Sequence, residues 1–529
     1  MKTSLKLTGF SVKGNATKLF FTAAMLISNL TFAQTKDPFV ANVMKEAMEN
    51  SQLEKLAHEL LDVVGPRLVG TPQIKQAGDW AVKKYTDWGI PARMENWGQW
   101  RGWERGITHI DLISPRIRTL EGTQLAWSPS TKGKGINAEA IVLPEVADSL
   151  AFISWLPNVK GKLVLISMNQ VSGRPDKNIE EFGTPTVIAK LKKEKEEATK
   201  AWRDRLAKTG LNAKNLALEL EKAGAAGIII NNWSQGFGVD KIFGANTTKI
   251  PTLDLSVEDY GLVYRLALGG SKPMLKIQSE SKELGLVPTF NTFAEIKGSE
   301  KPNEYVMLSA HFDSWDGASG ATDNGSGTIM MMETMRLLKK FYPNPKRTIL
   351  VGHWSSEEQG LNGSRAFVED HPEIVNNLQA LFNQDNGTGR VVNISGQGFA
   401  KAKDFITRWL DKVPDTIKNQ IKTSFPGAPS GGGSDNASFV AAGAPGFSLG
   451  SNSWDYFTYT WHTNRDSYDK LVFDEIKSNV VLAAILVYMA CEDPEKMSNE
   501  KATLGNNPRT GQPTTWPTPV KANRKGGVN

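Results

Sequence analysis

Tyr305-Val306-Met307-Leu308-Ser309-Ala310-His311-Phe312-Asp313 is an apolar run that ends on an imidazole and a carboxylate. The glycine-rich stretch Gly320-Ala321-Thr322-Asp323-Asn324-Gly325-Ser326-Gly327 follows shortly after. A short apolar run closed by polar and glycine residues reads as a buried strand. Behind it, Gly325–Lys340 carries apolar residues at helical spacing. The alternation continues downstream. Arg347–Trp354 reads as a strand and Gly363–Asp370 as a helix, then Leu378–Asn383 as a strand and Lys401–Val413 as a helix. Gly446–Leu449 reads as a short strand and Phe473–Cys491 as a long final helix. Strands alternating with helices predict an α/β fold, a sheet with helices on both faces. Such sheets place ligands beyond their strand ends, which is where the polar residues of this region fall.

Upstream, Gln52–Val64 and Gln73–Trp88 have helical spacing around a Gly65-Pro66-Arg67 breaker, and Ile107–Ile113 alternates like a strand before Ser114-Pro115. Residues 126–283 read as a separate unit. Lys162–Ile166 and Gly227–Ile230 are short apolar strands, and the charge-rich Val187–Ala223 suits a solvent-exposed helix or helix pair broken at Gly210. This unit contains no histidine, which argues against a catalytic role. Residues 495–529, polar and rich in proline and glycine, predict a disordered tail.

The formal charge of +6 resides at the two ends. Four lysines precede any acid, and the stretch from Glu495 onward is also basic, so the body between is slightly acidic. That argues against a nucleic-acid-binding surface on the folded part. Lys2, Lys6, Lys13 and Lys18, the apolar run Leu19–Ala33 and the small residue before Gln34 read as a signal peptide over residues 1–33. The expectation is an exported protein, periplasmic or secreted, with no stable membrane insertion after cleavage. A single cysteine, Cys491, allows no internal disulfide.

Two imidazoles and four carboxylates could carry chemistry: His311, Glu357, Glu358 and Asp385 at or just after predicted strands, Asp323 in the glycine-rich stretch and His462 in Tyr459–Asp466. A catalytic zinc takes about three protein ligands and keeps one position open. Two ions about 3.5–4 Å apart that share one bridging carboxylate would use five of these residues and leave one as a base. Glu357 and Glu358 are adjacent, so from an extended backbone their side chains point opposite ways and cannot do the same job. His58, His109, His353 and His371, lying in helix, strand and loop patterns away from these carboxylates, read as structural or solvated.

In chain order, His311, Asp323, Glu357-Glu358, Asp385 and His462 resemble the ligand set of the M28 di-zinc peptidases. Asp62-Val63-Val64-Gly65-Pro66-Arg67-Leu68, Trp103-Glu104-Arg105-Gly106 and His311-Phe312-Asp313-Ser314-Trp315-Asp316 are similar to family stretches too, and the likeness runs over residues 45–493. The resemblance implies an α/β, mixed-sheet zinc-exopeptidase catalytic domain with helices on both faces. Residues 34–125 and 284–494 would form it, and a protease-associated domain would be inserted at 126–283. It implies two Zn2+ per chain, one held by His311, Asp323 and Asp385, the other by Asp323, Glu358 and His462. Glu357 would be the general base, and Asp313 would hydrogen-bond His311. A peptide substrate and a homodimer are further implications. Gly431-Gly432-Gly433-Ser434-Asp435-Asn436 departs from the family pattern, with Asn436 where many members carry histidine; Ser434 and Asp435 are expected to line the substrate pocket. Two rivals share the scaffold. A single-zinc glutaminyl cyclase would not need His311 and Asp385, and a binding protein would have lost ligands.

Overall fold

A computed structural model describes residues 37–506 and 510–527; the signal-peptide expectation lies outside them. The centre of the molecule is a parallel block, Gly446–Ser451, Leu378–Asn383, Lys301–His311 and Arg347–Trp354 in spatial order. Every residue of Arg347–Trp354 and of Leu378–Asn383 is buried, which is why each strand is apolar at its centre on both faces rather than alternating. Alternate side chains serve two cores. Val306, Leu308 and Ala310 join Ser326–Phe341 and Phe473–Glu492 on one face. Met307, Leu350 and Trp354 pack with Phe367 and Phe439 on the other. Phe473–Glu492 is apolar almost all round, because the sheet lies on one side of it and Pro38–Glu49 and Ser326–Phe341 on the others.

On the far side of Arg347–Trp354 the sheet turns antiparallel, through the 23-residue strand Met274–Ile296 and its equally long partner Ala92–Ser114. This ribbon runs from one lobe into the next. Glu295 pairs in the first lobe with Leu350, whereas Met274–Ile277 pair in the second with Ile136–Glu139. Register shifts at Gly102/Trp103 and Arg105/Thr108 mark the passage between them, as bulges do where a strand must bend. The second lobe has its own cores, one around Leu163, Leu165, Ile229 and Leu253, another around Phe152, Leu216 and Ile228. Its core recruits Ile110, Leu112 and Leu120, which lie ahead of the boundary expected at residue 126. The charge-rich segment forms helices Pro185–Lys208, with no buried residue, and Ala213–Lys222, separated at Gly210 (φ +74°).

The C-terminal segment departs from the expected disorder. Trp516 packs edge-on against Phe399, with ring centroids 5.3 Å apart. Lys525–Gly526 adds a short parallel strand to Gln99–Trp100. A Cβ on Gly526 would sit within 2.0 Å of the Trp100 ring, so this contact requires glycine. Arg524 forms ion pairs with Glu369 and Asp370. Three specific anchors thus hold a segment whose low apolar content suggested none.

Candidate metal centre

His311 is the last residue of Lys301–His311, and Glu357, Glu358 and Asp385 follow the ends of the two neighbouring parallel strands. Asp323 sits in the helical turn Ala321–Gly325 that leads into Ser326–Phe341. His462 comes from the loop after Tyr456–Tyr459, with a left-handed backbone (φ +59°). The strand ends, this turn and this loop therefore bring the five ligand candidates to one place, with Glu357 beside them.

They form two groups that share one member. His311 Nε2 lies 2.9 Å from Asp385 Oδ1 and 3.2 Å from Asp323 Oδ1. His462 Nε2 lies 2.8 Å from Glu358 Oε2 and 3.3 Å from Asp323 Oδ2. Within each group the ligand atoms lie within 4.8 Å of one another. Each Nε2 has a single lone pair or proton, yet faces two carboxylate oxygens. Asp323 Oδ2, Glu358 Oε1 and His462 Nδ1 are buried and have no hydrogen-bond partner. Left so, such atoms are costly, and three carboxylates around two imidazoles suit a divalent cation in each group.

The electrostatics agree. Burial, reinforced by Asp323, Asp313 and Asp385, pushes the Glu358 carboxyl well above its ordinary range, and burial raises Asp385 too. Burial would depress His311, but Asp385 and Glu357 outweigh it and raise the imidazole well above its ordinary value. Burial would raise Asp323, yet the two imidazoles hold it low. His462 is pushed down to about 4, chiefly by burial. Crowded carboxylates oppose one another's ionisation, and a cation between them removes that opposition.

Glu357 lines the same cleft, of about 400 Å³, without belonging to either group. Burial first, then Asp385, Asp435 and Glu358, raise its pKa well above the usual carboxylate range. The Asp313 carboxylate accepts from the Glu357 and Glu358 amides at 3.1 and 3.3 Å. The contact to His311 Nδ1 comes instead from the Asp313 backbone carbonyl, at 3.0 Å, with the carboxylate 3.8 Å away. Asp313 thus fixes the imidazole through its main chain and the Glu357-Glu358 bend through its side chain. Ser434 and Asp435 are placed differently from the expectation. Gly432 and Gly433 form the cleft wall, while Ser434 accepts from Asn383 Nδ2 at 2.7 Å behind it and Asp435 is fully buried. Of the remaining histidines, His353 is buried against Tyr85 and His371 meets Glu95, both away from the cleft.

Three supports were not singled out from sequence. Arg67, fully buried, donates to the carbonyls of Gly65, Phe312, Ser319 and Gly320 and so ties together the loop between His311 and Asp323. Burial draws its pKa down to about 10. Asp466 accepts from the Thr322 and Asp323 amides at 2.8 and 3.0 Å, fixing the shared ligand. The second lobe holds the His462 loop: Ile242 N–H donates to the His462 carbonyl at 2.8 Å, and Phe243 meets the imidazole edge-on. Arg67 lies in a stretch that resembles the family and Asp466 in the His462 loop, but neither position by itself signals this role.

Residues 291–486, which contain all five ligand candidates and Glu357, match the model of peptidase family M28. That stretch is an M28 peptidase domain. This M28 metallopeptidase is 26% identical to human carboxypeptidase Q over 463 residues, covering 85% of this chain and 87% of that protein. It is 28% identical to carboxypeptidase Q of Bos taurus over 464 residues, with the same coverage. Among solved structures, a peptidase M28 precursor from Shewanella amazonensis superposes with a TM-score of 0.63 at 23% identity, covering 87% of this chain and 97% of that one. A zinc aminopeptidase from Bacillus subtilis does so with a TM-score of 0.54 at 18% identity, covering 85% and 97%. These likenesses show that the two-lobed mixed α/β fold is shared. Among the described residues of the M28 peptidase, no helix is long and apolar enough to cross a membrane.

Proposed function

We propose that this M28 peptidase is an exported two-zinc exopeptidase that hydrolyses dipeptides and other short peptides with a free terminus. The observation that carries the reading is the shared carboxylate, Asp323, which turns one oxygen to each three-residue group. His311, Asp323 and Asp385 would hold one zinc, and Asp323, Glu358 and His462 the other. Bound there, zinc supplies Lewis acidity and a water acidified towards neutrality. Glu357 would take the proton of the attacking water as its oxygen adds to the peptide carbonyl carbon, and return it to the amine nitrogen as the C–N bond breaks. Its raised pKa suits a group that must both take and give a proton. The name borne by the carboxypeptidase Q relatives supports action at a chain end, and so does the small cleft.

The second lobe, residues 126–283 with the strand ends that feed it, is assigned as a protease-associated domain; its hold on the His462 loop supports a part in shaping the cleft. Export to the periplasm or outside the cell rests on the basic and then apolar residues 1–33. A homodimer rests on the family resemblance. The test is metal content of wild type and Glu357→Ala together with turnover of a dipeptide panel. Two zinc per chain in both, with hydrolysis by the wild type alone, is the expected result. One ion or none in the wild type, or undiminished hydrolysis by the variant, overturns the reading.

A further inference from the structure

Beside the metal cleft lies a second cavity of about 440 Å³. The two share Leu361 and Arg365 as a common wall, and Thr518–Lys521 of the C-terminal segment line the second cavity's far side. Arg365 stands in the first turns of helix Asn362–Asp370. Among the described residues lining the metal cleft it is the only guanidinium or ammonium. Its Nη1 lies 3.9 Å from where a Cβ on Gly360 would be, which places the charge beside the Glu357-Glu358 bend.

The Arg365 side chain is half-buried, yet no described residue takes a hydrogen bond or ion pair from it. None of the cleft carboxylates pairs with it. Its natural partner on the helix would be Glu369, one turn on. That carboxylate is already occupied: Arg524 reaches Glu369 Oε2 at 2.9 Å and the Ala522 amide reaches Oε1 at 3.0 Å. Asp370, next along, is also taken by Arg524, at 2.9 and 2.7 Å. The C-terminal segment thus withholds both nearby acids and leaves a guanidinium facing the substrate space. A guanidinium fork matches a planar carboxylate with two parallel hydrogen bonds.

We propose that Arg365 is the substrate-carboxylate anchor of this enzyme, binding the free α-carboxylate of a short peptide, with the leaving residue housed in the cavity under the C-terminal segment and Arg524 keeping the anchor available. This rests on the exopeptidase reading and names the feature that its substrates share.

The test measures kcat and KM for a dipeptide and for its C-terminal amide, using zinc-loaded wild type, Arg365→Gln, Arg365→Lys and Arg524→Gln. Wild type favours the free acid. Arg365→Gln raises KM for the acid by about 10–100-fold, as loss of a charged bidentate contact predicts, with kcat and the amide's KM little changed. Arg365→Lys retains part of the preference, and Arg524→Gln, by releasing Glu369, erodes it by a smaller factor. Unchanged zinc content and melting temperature show that the variants are folded. An acid-to-amide ratio unaltered in Arg365→Gln, or a KM that rises equally for both substrates, overturns the proposal. A preference for acidic side chains that survives amidation reassigns Arg365 to a side-chain carboxylate and overturns the α-carboxylate assignment. Wild type that hydrolyses neither substrate sinks the exopeptidase reading itself. Hydrolysis of both without preference sinks only the anchor.

Discussion

Buried carboxylates occur in both lobes, and the two lobes deal with them differently. In the second lobe Asp240 and Asp254 lie close together, each almost wholly buried. Asn231 Nδ2 donates to Asp240 Oδ1 at 2.8 Å, and the Asn232 amide donates to Asp254. Burial, helped by Glu258 and Glu121, pushes Asp240 up to about 7, and burial with the charge of Asp240 raises Asp254 well above its ordinary value. A proton settles that pair. In the cleft, among the described residues, no side-chain amide donates to the ligand carboxylates. Each imidazole Nε2 faces two carboxylate oxygens, and Asp323 Oδ2, Glu358 Oε1 and His462 Nδ1 are buried without a hydrogen-bond partner. A proton can reconcile two groups but not five, so the cleft calls for cations where the second lobe needs only hydrogen ions.

The comparison breaks most visibly at Asp323. Asp323→Asn removes an anionic oxygen from both groups at once and leaves an amide where a bridging carboxylate stood. The expected outcome is loss of both ions by elemental analysis and loss of peptide hydrolysis to background, in a protein whose second lobe still folds. Retention of two ions per chain would show that Asp323 is not shared between them.

Removing the ions, rather than a ligand, gives a smaller and more local effect. Ions present at about 1,000 times their dissociation constant add about 4 kcal/mol to stability, so stripping them with a chelator lowers the melting temperature measurably. Hydrogen exchange would localise the change. Amides at Thr322, Asp323, Glu357 and Glu358 gain exchange, while the second-lobe strands Leu163–Leu165 and Gly227–Ile230 do not. Uniform loosening, or none, would mean that the cleft resolves its charges with protons as the second lobe does.

The same contrast governs what could be read from sequence. Arg347–Trp354 and Leu378–Asn383 were legible to the residue because both faces are buried and each run has an apolar centre, Ile349–Val351 and Ala380–Phe382. His311, Glu358 and Asp385 were legible because each ends or follows an apolar strand, whereas Asp323 and His462, in a turn and a loop, stood out by residue type. Ala92–Ser114 was visible only at its Ile107–Ile113 end. Bulges interrupt its alternation, and much of it faces solvent. The second lobe's start was therefore placed too late. Arg67 and Arg365 were silent for a different reason. A lone arginine carries no sign of whether it will be buried in carbonyls, paired, or left free. The C-terminal segment misled because composition reports apolar content, whereas Trp516, Arg524 and Gly526 hold it by individual fits.

The smallest effect tests the second lobe's half of the comparison. Asp240 has a folded pKa of about 7 against an ordinary value of 3.8, so between those values the folded protein holds a proton that the unfolded chain has released. Its stabilising contribution is complete below the ordinary value and is lost as pH rises through about 7, because the side chain must then be buried as an anion. Asp240→Asn cannot titrate and still offers Asn231 an acceptor oxygen. Its melting temperature should therefore fall less steeply than that of wild type as pH rises from about 4 to about 7, and should exceed it above that range. Some slope persists, since Asp254 remains, although without the Asp240 charge beside it the Asp254 pKa moves down. Metal content stays at the wild-type level, because Asp240 belongs to neither ligand group. Parallel melting curves for the two proteins would show that the pair does not hold its proton in this range, and the contrast with the cleft would then rest on the metal experiments alone.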